Sequence, residues 1–384
     1  MKILVLIHEF PPVGGGGGQA AQDICQGLVN RGHEIVVLTA HLEGLPKEEW
    51  VDGIHLLRLP SLRQEAFRAD LKAMGGYVLS GLWAGYRLIN RWRPDLIHVH
   101  FAVPAGALAW ALSKLTGIPY VMTVHLGDVP GGVPEKTGSW FKWVRPFTQS
   151  IWRDAKQVIA VSEFTRQLAL EHYKRGIEVI PNGVDLDRLR PTGIRVQEQP
   201  HIVFAGRLME QKNPIQIVRS LAELKDLSWQ CVMIGDGPLL PSLQHAIAEH
   251  GLQERFTLTG WITPENVLEW FERSDILFMP SLSEGLPVVG VQALAKGLAM
   301  VVSKIGGFLD IVDDGENGYL IELSHPSEFS RALRQLLSDE ARLKRFREAS
   351  LKKANHFDIV HIAEQYEQIL SKVSISSSGI ALSG

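Results

Sequence analysis

Glu284 and Gln292 lie in the run Pro280 to Gly297, P-S-L-S-E-G-L-P-V-V-G-V-Q-A-L-A-K-G. Both side chains bind hydroxyls: a carboxylate accepts, and an amide accepts and donates. The residues between them suit an anion. Gly285 permits close backbone approach or a left-handed turn. Pro287 suits the first turn of a helix, where a missing N–H costs nothing. The free N–H groups of such a turn, together with the helix dipole, favour negative charge in front of them. An acid beside a phosphate repels it, so Glu284 reads as an acceptor for sugar hydroxyls. Gln292 lies eight residues on from Glu284, about two helical turns along if the helix starts near Pro287. Hydroxyl binders flanking an anion cradle fit a nucleotide sugar. The same stretch also fits an ordinary buried strand, loop and helix with a solvated glutamate.

Other chemistry-bearing residues fall at strand ends. Arg207 and Lys212 follow an apolar run in F-A-G-R-L-M-E-Q-K-N-P, near the expected start of a helix. A guanidinium forks onto phosphate oxygens and an ammonium adds a point charge. Gly235-Asp236-Gly237-Pro238 ends the next strand as a turn. His98 and His100, at i and i+2, share one face of a strand end. No further ligand is evident nearby, so a metal role is disfavoured. His125 closes a strand and opens L-G-D. A neutral imidazole there could donate to a substrate hydroxyl or bond a neighbouring loop. Asp128 shares that loop.

Gly14–Gly18 joins the first strand to the first helix. Val13 and Gln19 break the frame G-x-G-x-x-G, and no G-K-[ST] follows. The run reads either as a flexible connector or as a loop, centred on Gly16 and Gly17, that approaches a ligand at the carboxyl end of a strand. Asp185-Leu186-Asp187 matches a cation-binding D-x-D, but it follows a P-N-G turn rather than a strand and is discounted. Trp140, Phe141, Trp143, Phe147 and Trp152 interleave with Lys142, Arg145, Arg153 and Lys156. Trp83 and Trp92 stand with Arg87, Arg91 and Arg93. Both sets fit peripheral attachment to an anionic membrane surface, or core aromatics with a solvated basic rim.

Positioning such residues takes a repeated strand–helix alternation. Strands are expected at Lys2–His8, Glu34–Thr39, Ile54–Arg58, Asp95–His100, Ile118–Val124, Gln157–Val161 and Ile177–Ile180. Helices are expected from the glycine run to Asn30 and over Ala66–Trp92, Pro104–Thr116, Ser139–Asp154 and Glu163–His172. Pro191–Pro200 is polar and aperiodic and reads as a linker. The alternation restarts with strands His201–Ala205, Trp229–Ile234, Arg255–Leu258, Ile276–Met279, Ala299–Val302 and Gly318–Ile321. Helices Leu239–His250, Pro264–Ser274 and Phe308–Val312 fall among them, and three helical segments close the chain from Ser327 to about Leu370. Near-continuous apolar strands alternating with helices imply parallel α/β sheets. The expected architecture is two doubly wound, Rossmann-like domains facing across a cleft. Residues 1–190 form the first, 200–357 the second, and 371–384 a flexible tail.

Composition narrows the class. The chain has 384 residues, enough for two domains. Its 39 basic and 42 acidic residues leave a net charge of −3, so no basic field points to nucleic acid. Cys25 and Cys231 have no metal spacing and no disulfide framework, as in a reducing compartment. The start M-K-I-L-V-L-I-H-E-F is too quickly charged for a signal peptide. The charge-free runs Met74–Tyr86 and Phe101–Ser113 are too short to span a bilayer. The reading is a cytoplasmic protein, with peripheral contact at the inner membrane face left open.

Taken together, R-L-M-E-Q-K-N-P, I-G-D-G-P, T-G-W-I, P-S-L-S-E-G-L-P-V-V-G-V-Q-A-L-A, I-P-N-G-V-D and V-S-E-F-T resemble the group 1 (family 4) retaining glycosyltransferases of GT-B fold, over nearly the whole chain. The resemblance implies sugar transfer from a UDP- or GDP-linked donor to a hydroxyl on a sugar or lipid-linked acceptor in glycan or glycolipid synthesis. It implies no cofactor and no metal. It places Glu284 on donor sugar hydroxyls, and Gln292 where the family has a ribose-binding carboxylate. Arg207, Lys212 and the N–H groups of Leu286 and Val288 fall on the diphosphate, Ile262 near the base and His125 near the transferred sugar. The glycine loop falls by the phosphates and acceptor, and Gly235 at the donor edge. The segment Asp358–Leu370 is the candidate for the family's last helix, which crosses back onto the first domain. Two other readings stay open: a nucleotide-sugar 2-epimerase, and a nucleotide-sugar binding protein without catalysis. A nicotinamide dehydrogenase lacks its glycine fingerprint.

Overall fold

The computed structural model describes residues 1–66, 69–133 and 139–378, without the side chains of 139–146 and 376–378. The chain divides into two compact units, Met1–Gly183 with Ile359–Gly384, and Val184–Asp358.

In the first unit the described strands are β1 (Lys2–Leu6), β2 (Glu34–Ala40), β3 (Glu48–Val51), β4 (Ile54–Leu59), β5 (Leu96–His100), β6 (Tyr120–Val124), β7 (Gln157–Ala160) and β8 (Glu178–Val179). They form one sheet in the order β3-β4-β2-β1-β5-β6-β7-β8. Every pairing is parallel except β3 with β4. The apolar alternation passed over β3 because two of its four residues are glutamate. Its signal is the Asp52-Gly53 dipeptide, whose φ angles of 49° and 82° make the tight primed turn of a hairpin.

Side chains alternate across the sheet. Leu4 and Leu6 enter a core shared with α2 (Leu71–Trp92) and α3 (Ala107–Thr116), and with Ile151 and Trp152 of α4 (Ser139–Asp154). Ile3, Val5 and Ile7 enter another, shared with α1 (Gly16–Asn30). Helix α5 (Glu163–Leu170) follows β7 and is capped by Ser162, which accepts from Thr165 N–H at 3.1 Å. Helix α2 starts later than the expected Ala66. Asp70 accepts from Ala73 N–H at 2.8 Å and supplies the cap that sets its first turn.

The second unit has a wholly parallel sheet among its described strands. These are β9 (His201–Ala205), β10 (Gln230–Ile234), β11 (Phe256–Gly260), β12 (Ile276–Met279), β13 (Ala299–Ser303) and β14 (Gly318–Ile321), in the order β11-β10-β9-β12-β13-β14. Its helices are α6 (Leu186–Leu189), α7 (Pro214–Ala222), α8 (Leu240–Glu249), α9 (Pro264–Glu272), α10 (Val288–Ala295), α11 (Phe308–Ile311), α12 (Ser327–Leu337) and α13 (Glu340–Ala354). The D-x-D motif is a helix start: Asp185 caps α6 by accepting from Arg188 N–H at 3.0 Å. Residues 184–190 therefore belong with the second unit and not, as expected, with the first; Val184 N–H also donates to Phe357 O at 2.9 Å.

The last helix, α14 (Ile359–Ser378), belongs to the first unit. Its Ile362, Tyr366 and Leu370 complete the core around Ile3 and Val5. Residues 371–378, expected as tail, are helical, and Val373 is buried in the same core. The rest of the expected tail, 379–384, lies outside the described residues.

Pro191–Pro200, expected as a linker, is pinned to the second unit by a buried ion pair. Arg347 on α13 pairs with Asp275 at the start of β12. The guanidinium also donates to Gly297 O at 2.8 Å and Arg195 O at 2.9 Å. Asp275 accepts from His201 N–H at 2.9 Å and Gln197 N–H at 3.3 Å. Asp275→Ala would strand a buried cation and two backbone donors. It is expected to destabilise the second unit by about 3–5 kcal/mol, read as a lower urea midpoint. An unchanged midpoint would show that the pair carries no stability.

Candidate functional site

Parallel strands bring their carboxyl ends to one edge, and in the second unit the following loops are stitched together there by backbone hydrogen bonds. Gly206 N–H donates to Ile234 O and Leu208 N–H to Asp236 O, both at 2.9 Å, so Arg207 is held between two fixed neighbours. Gly235 N–H donates to Gly260 O at 2.9 Å. Gly235 has φ +129°, and a Cβ there would lie 2.0 Å from Gly206 O. Only glycine fits so close an approach.

The loop carrying Glu284 is gripped from both sides. Leu282 N–H donates to Gln211 O at 2.7 Å, and the Gln211 amide donates to Ser283 O at 2.9 Å. On the other side Gly307 N–H donates to Glu284 O at 3.1 Å. A Cβ on Gly306 or Gly307 would lie 1.8 Å from the carbonyl oxygen of Glu284 or Gly285 respectively. Lys212 Nζ then reaches Glu284 Oε1 at 2.5 Å, with the carboxylate almost wholly buried.

Several expectations change in detail. Arg207 and Lys212 precede helix α7, and Lys212 ends a short 3-10 turn, Glu210–Lys212. Asn213 at φ 50° breaks that turn before Pro214 opens the helix. Pro287 is not in the first helical turn. Its ψ of 120° makes it the extended residue before Val288. Gln292 lies about one turn past Val288, the first residue of α10, and on the same face. The first turn of α10 has no side-chain cap and no acidic residue. Leu286, Pro287 and Val288 are buried, and Gly285 and Gln292 are half-buried. Ile262 lines a cavity of about 280 Å³ with Thr259, Asn266, Glu269, Trp270 and Arg273.

In the first unit the ends of β1, β5 and β6 converge. His125 follows β6 with its ring stacked on Phe101, centroids 4.4 Å apart. Asp128 is buried, and its two carboxylate oxygens accept from Ala102 N–H and His125 N–H, both at 2.8 Å. The carboxylate thus staples the backbone of the loop it was expected to share with His125 at the substrate. The glycine run is also tighter than a free connector. Gly14 has φ +103° with Glu9 beneath it, and Cβ atoms on Gly17 and Gly18 would meet Phe101 and the Glu9 backbone. Gly17 is thus required by Phe101, while Gly16 is exposed and opens α1.

His98 and His100 are fully buried. His98 Nε2 meets Thr123 Oγ1 at 2.9 Å, and that hydroxyl lies 3.3 Å from the Tyr366 hydroxyl on α14. Burial pushes the His98 imidazole down to about 3 and His100 well below its ordinary range. Both are neutral at neutral pH, and among the described residues they belong to no cluster of three or more metal-ligating side chains.

The aromatic–basic sets divide. Trp152 is buried against Tyr173, stacked at 3.9 Å, whereas Phe147 is exposed. The side chains of Trp140, Phe141, Lys142, Trp143 and Arg145 lie outside the described residues. Trp83 is exposed with the Arg87 guanidinium over its ring at 4.6 Å.

Sequence reading singled out neither Gln211 and Gly306-Gly307, which hold the Glu284 loop, nor Phe101. The Gly-Gly pair after a buried strand was the available signal.

Comparison with known proteins places this architecture. Residues 14–188 match the family model described as Glycosyltransferase Family 4, and residues 187–353 the model described as Glycosyl transferases group 1. The 2-deoxystreptamine glucosyltransferase of Streptomyces kanamyceticus is 27% identical over 370 residues, covering 88% of this chain and 94% of its own. Sucrose-phosphate synthase from Thermosynechococcus elongatus superposes with a TM-score of 0.86 at 19% identity, covering 98% of this chain and 100% of its own. Anabaena HepE in complex with UDP and glucose does so at 0.77 and 19%, covering 97% and 100%. The chain belongs to the group 1, family 4 glycosyltransferases of GT-B fold. It is a nucleotide-sugar-dependent glycosyltransferase.

Gly307→Ala, which forces a Cβ onto Gly285 O, is expected to abolish measurable sugar transfer. Gly193→Ala, with open space around it, is the control and should transfer at the wild-type rate. Normal transfer by Gly307→Ala would show that the Glu284 loop need not be held as described.

Proposed function

We propose that the protein transfers a hexose from a nucleoside diphosphate donor, UDP-linked by preference, to a hydroxyl of a sugar or lipid-linked acceptor in glycan or glycolipid synthesis, with retention of anomeric configuration. The observation that carries this is the Glu284–Lys212 pair, held by backbone at the same strand edge as Arg207 and the uncapped start of α10. UDP is favoured because it is the nucleotide bound in the Anabaena structure. A glucosyl group is consistent with the name of the Streptomyces relative.

In this reading Lys212 leaves Glu284 when the donor arrives. Lys212, Arg207 and the N–H groups of Leu286 and Val288 then take the diphosphate, and Glu284 accepts from the sugar hydroxyls. Gln292 bonds the ribose diol as a neutral amide, and Ile262 contacts the base beside its cavity. Gly235 leaves room for the donor, and His125 meets the transferred sugar. Gly16, at the start of α1, is assigned to the acceptor or the phosphates. The bond from the anomeric carbon to phosphate breaks through an oxocarbenium-like transition state, and the acceptor oxygen bonds that carbon on the same face. The acceptor proton passes to the leaving phosphate oxygen, so no protein base and no metal is invoked. Preorganised cations stabilise the charge that develops on the leaving group.

Arg207→Ala and Lys212→Ala are each expected to lower turnover about 10²–10³-fold, measured as nucleoside diphosphate release. NMR of the product should show the donor's anomeric configuration. Wild-type turnover in both variants would remove the assignment. Sugar interconversion on the donor without acceptor would indicate the epimerase, and binding without release a silent binder.

We also propose peripheral membrane contact through α2. Among the described residues no helix is long and apolar enough to cross a membrane. Helix α2 has no acidic residue, and its exposed side carries Leu71, Leu79, Trp83 and Tyr86 ahead of Arg87 and Arg91. Aromatic and basic groups so arranged suit an anionic interface. Trp83→Ser with Arg87→Ser should reduce co-sedimentation with vesicles containing phosphatidylglycerol and leave transfer to a soluble acceptor intact. Undiminished sedimentation would dismiss this face.

A further inference from the structure

Phe101 follows β5 in a conformation its residue type disfavours, φ 71° and ψ 133°. Such a conformation in a non-glycine residue persists only where its surroundings over-determine it. They do so here. Phe101 N–H donates to Thr123 O at 3.1 Å, and its carbonyl accepts from Gly106 N–H at 2.9 Å. The Asp128 carboxylate then ties the next residue, Ala102, to His125.

This conformation goes with a particular placement of the ring. One face stacks on the His125 imidazole at 4.4 Å and an interplanar angle of 30°. The ring meets His8, just past β1, nearly edge-on at 5.2 Å and 72°. Its far end reaches the first turn of α1, where a Cβ on Gly17 would lie 2.5 Å from Cζ. A single half-buried ring therefore abuts residues just past β1 and β6 and the glycine loop. Backbone alone does not require an aromatic at this position; glycine would adopt the same φ without strain.

We propose that Phe101 is a positioning residue for sugar transfer: its ring braces the His125 imidazole against the glycine loop and fixes the plane that His125 presents to the transferred sugar. This rests on the reading of His125 given above. Gly17 is then glycine to make room for the brace, and its effect on activity passes through Phe101. Displacement of a contact group by about 1 Å can cost on the order of 10²-fold in rate, which sets the scale of the effect.

The test is a double-mutant cycle on the full chain, reading nucleoside diphosphate release with kcat and KM separated, beside thermal stability. Phe101→Gly relieves the backbone and removes the ring. It should fold and lose on the order of 10²-fold in kcat with donor KM little changed. Phe101→Leu, which keeps bulk but has no flat face, should behave likewise. Neither Phe101→Gly nor Phe101→Leu should cost anything further in a His125→Ala background. Gly17→Ala should slow the wild type but not Phe101→Gly. Wild-type rates for Phe101→Leu, or equal losses with and without His125, would overturn the brace while leaving the role of His125 intact. A fully active His125→Ala would instead remove that role and the brace with it.

Discussion

The Glu284 carboxylate stands in a loop that neighbouring segments grip from two sides. Its place is set by backbone: Gln211 holds Leu282 and Ser283 from one side, and Gly307 holds Glu284 O from the other. The approach is so close that no side chain fits at Gly306 or Gly307. Burying a carboxylate is costly unless a partner is present, and Lys212 at 2.5 Å is that partner. Everything proposed for the donor depends on this arrangement. It supplies a hydroxyl acceptor in a fixed place and a cation that a phosphate can recruit.

The first unit solves a related problem with strain and stacking. His125 lies at the end of a strand, where a loop residue would ordinarily be free to turn. Asp128 uses both carboxylate oxygens to hold the backbone at Ala102 and His125. Phe101, in a disfavoured conformation, occupies the face of the imidazole. The two units share a principle, since parallel strands send their functional loops to one edge. They differ in means: close glycine packing in one, an aromatic brace in the other.

Much of the fold was legible because long apolar strands alternating with helices have few other interpretations. The misses have separate causes. Strand β3 is half acidic and pairs antiparallel, so it breaks the pattern; the Asp52-Gly53 turn was its only mark. Helix α2 begins later than expected because Asp70 caps its first turn, and at α10 the extended Pro287 stands just before the helix and not within its first turn. Residues 371–378 look like tail by composition, yet Val373 finds a place in the core and the helix continues. Arg207, Lys212 and Glu284 were singled out by residue type and position after strands, and Lys212 and Glu284 do meet in the structure. The amide partners of Asp128 were not legible, because a carboxylate in a loop looks the same in sequence whether it faces solvent or two amides.

The sequence by itself determined the class of fold, the family and the chemical types at the donor edge, since these are carried by local pattern and residue identity. Only the tertiary structure decided that Lys212 pairs with Glu284, that Asp275 and Arg347 anchor the Pro191–Pro200 run, and that Gly17 and Phe101 are complements. Each of these joins residues distant along the chain through contacts a few ångströms long. Local propensity carries no information about such distances; they follow from how the sheets and their loops pack.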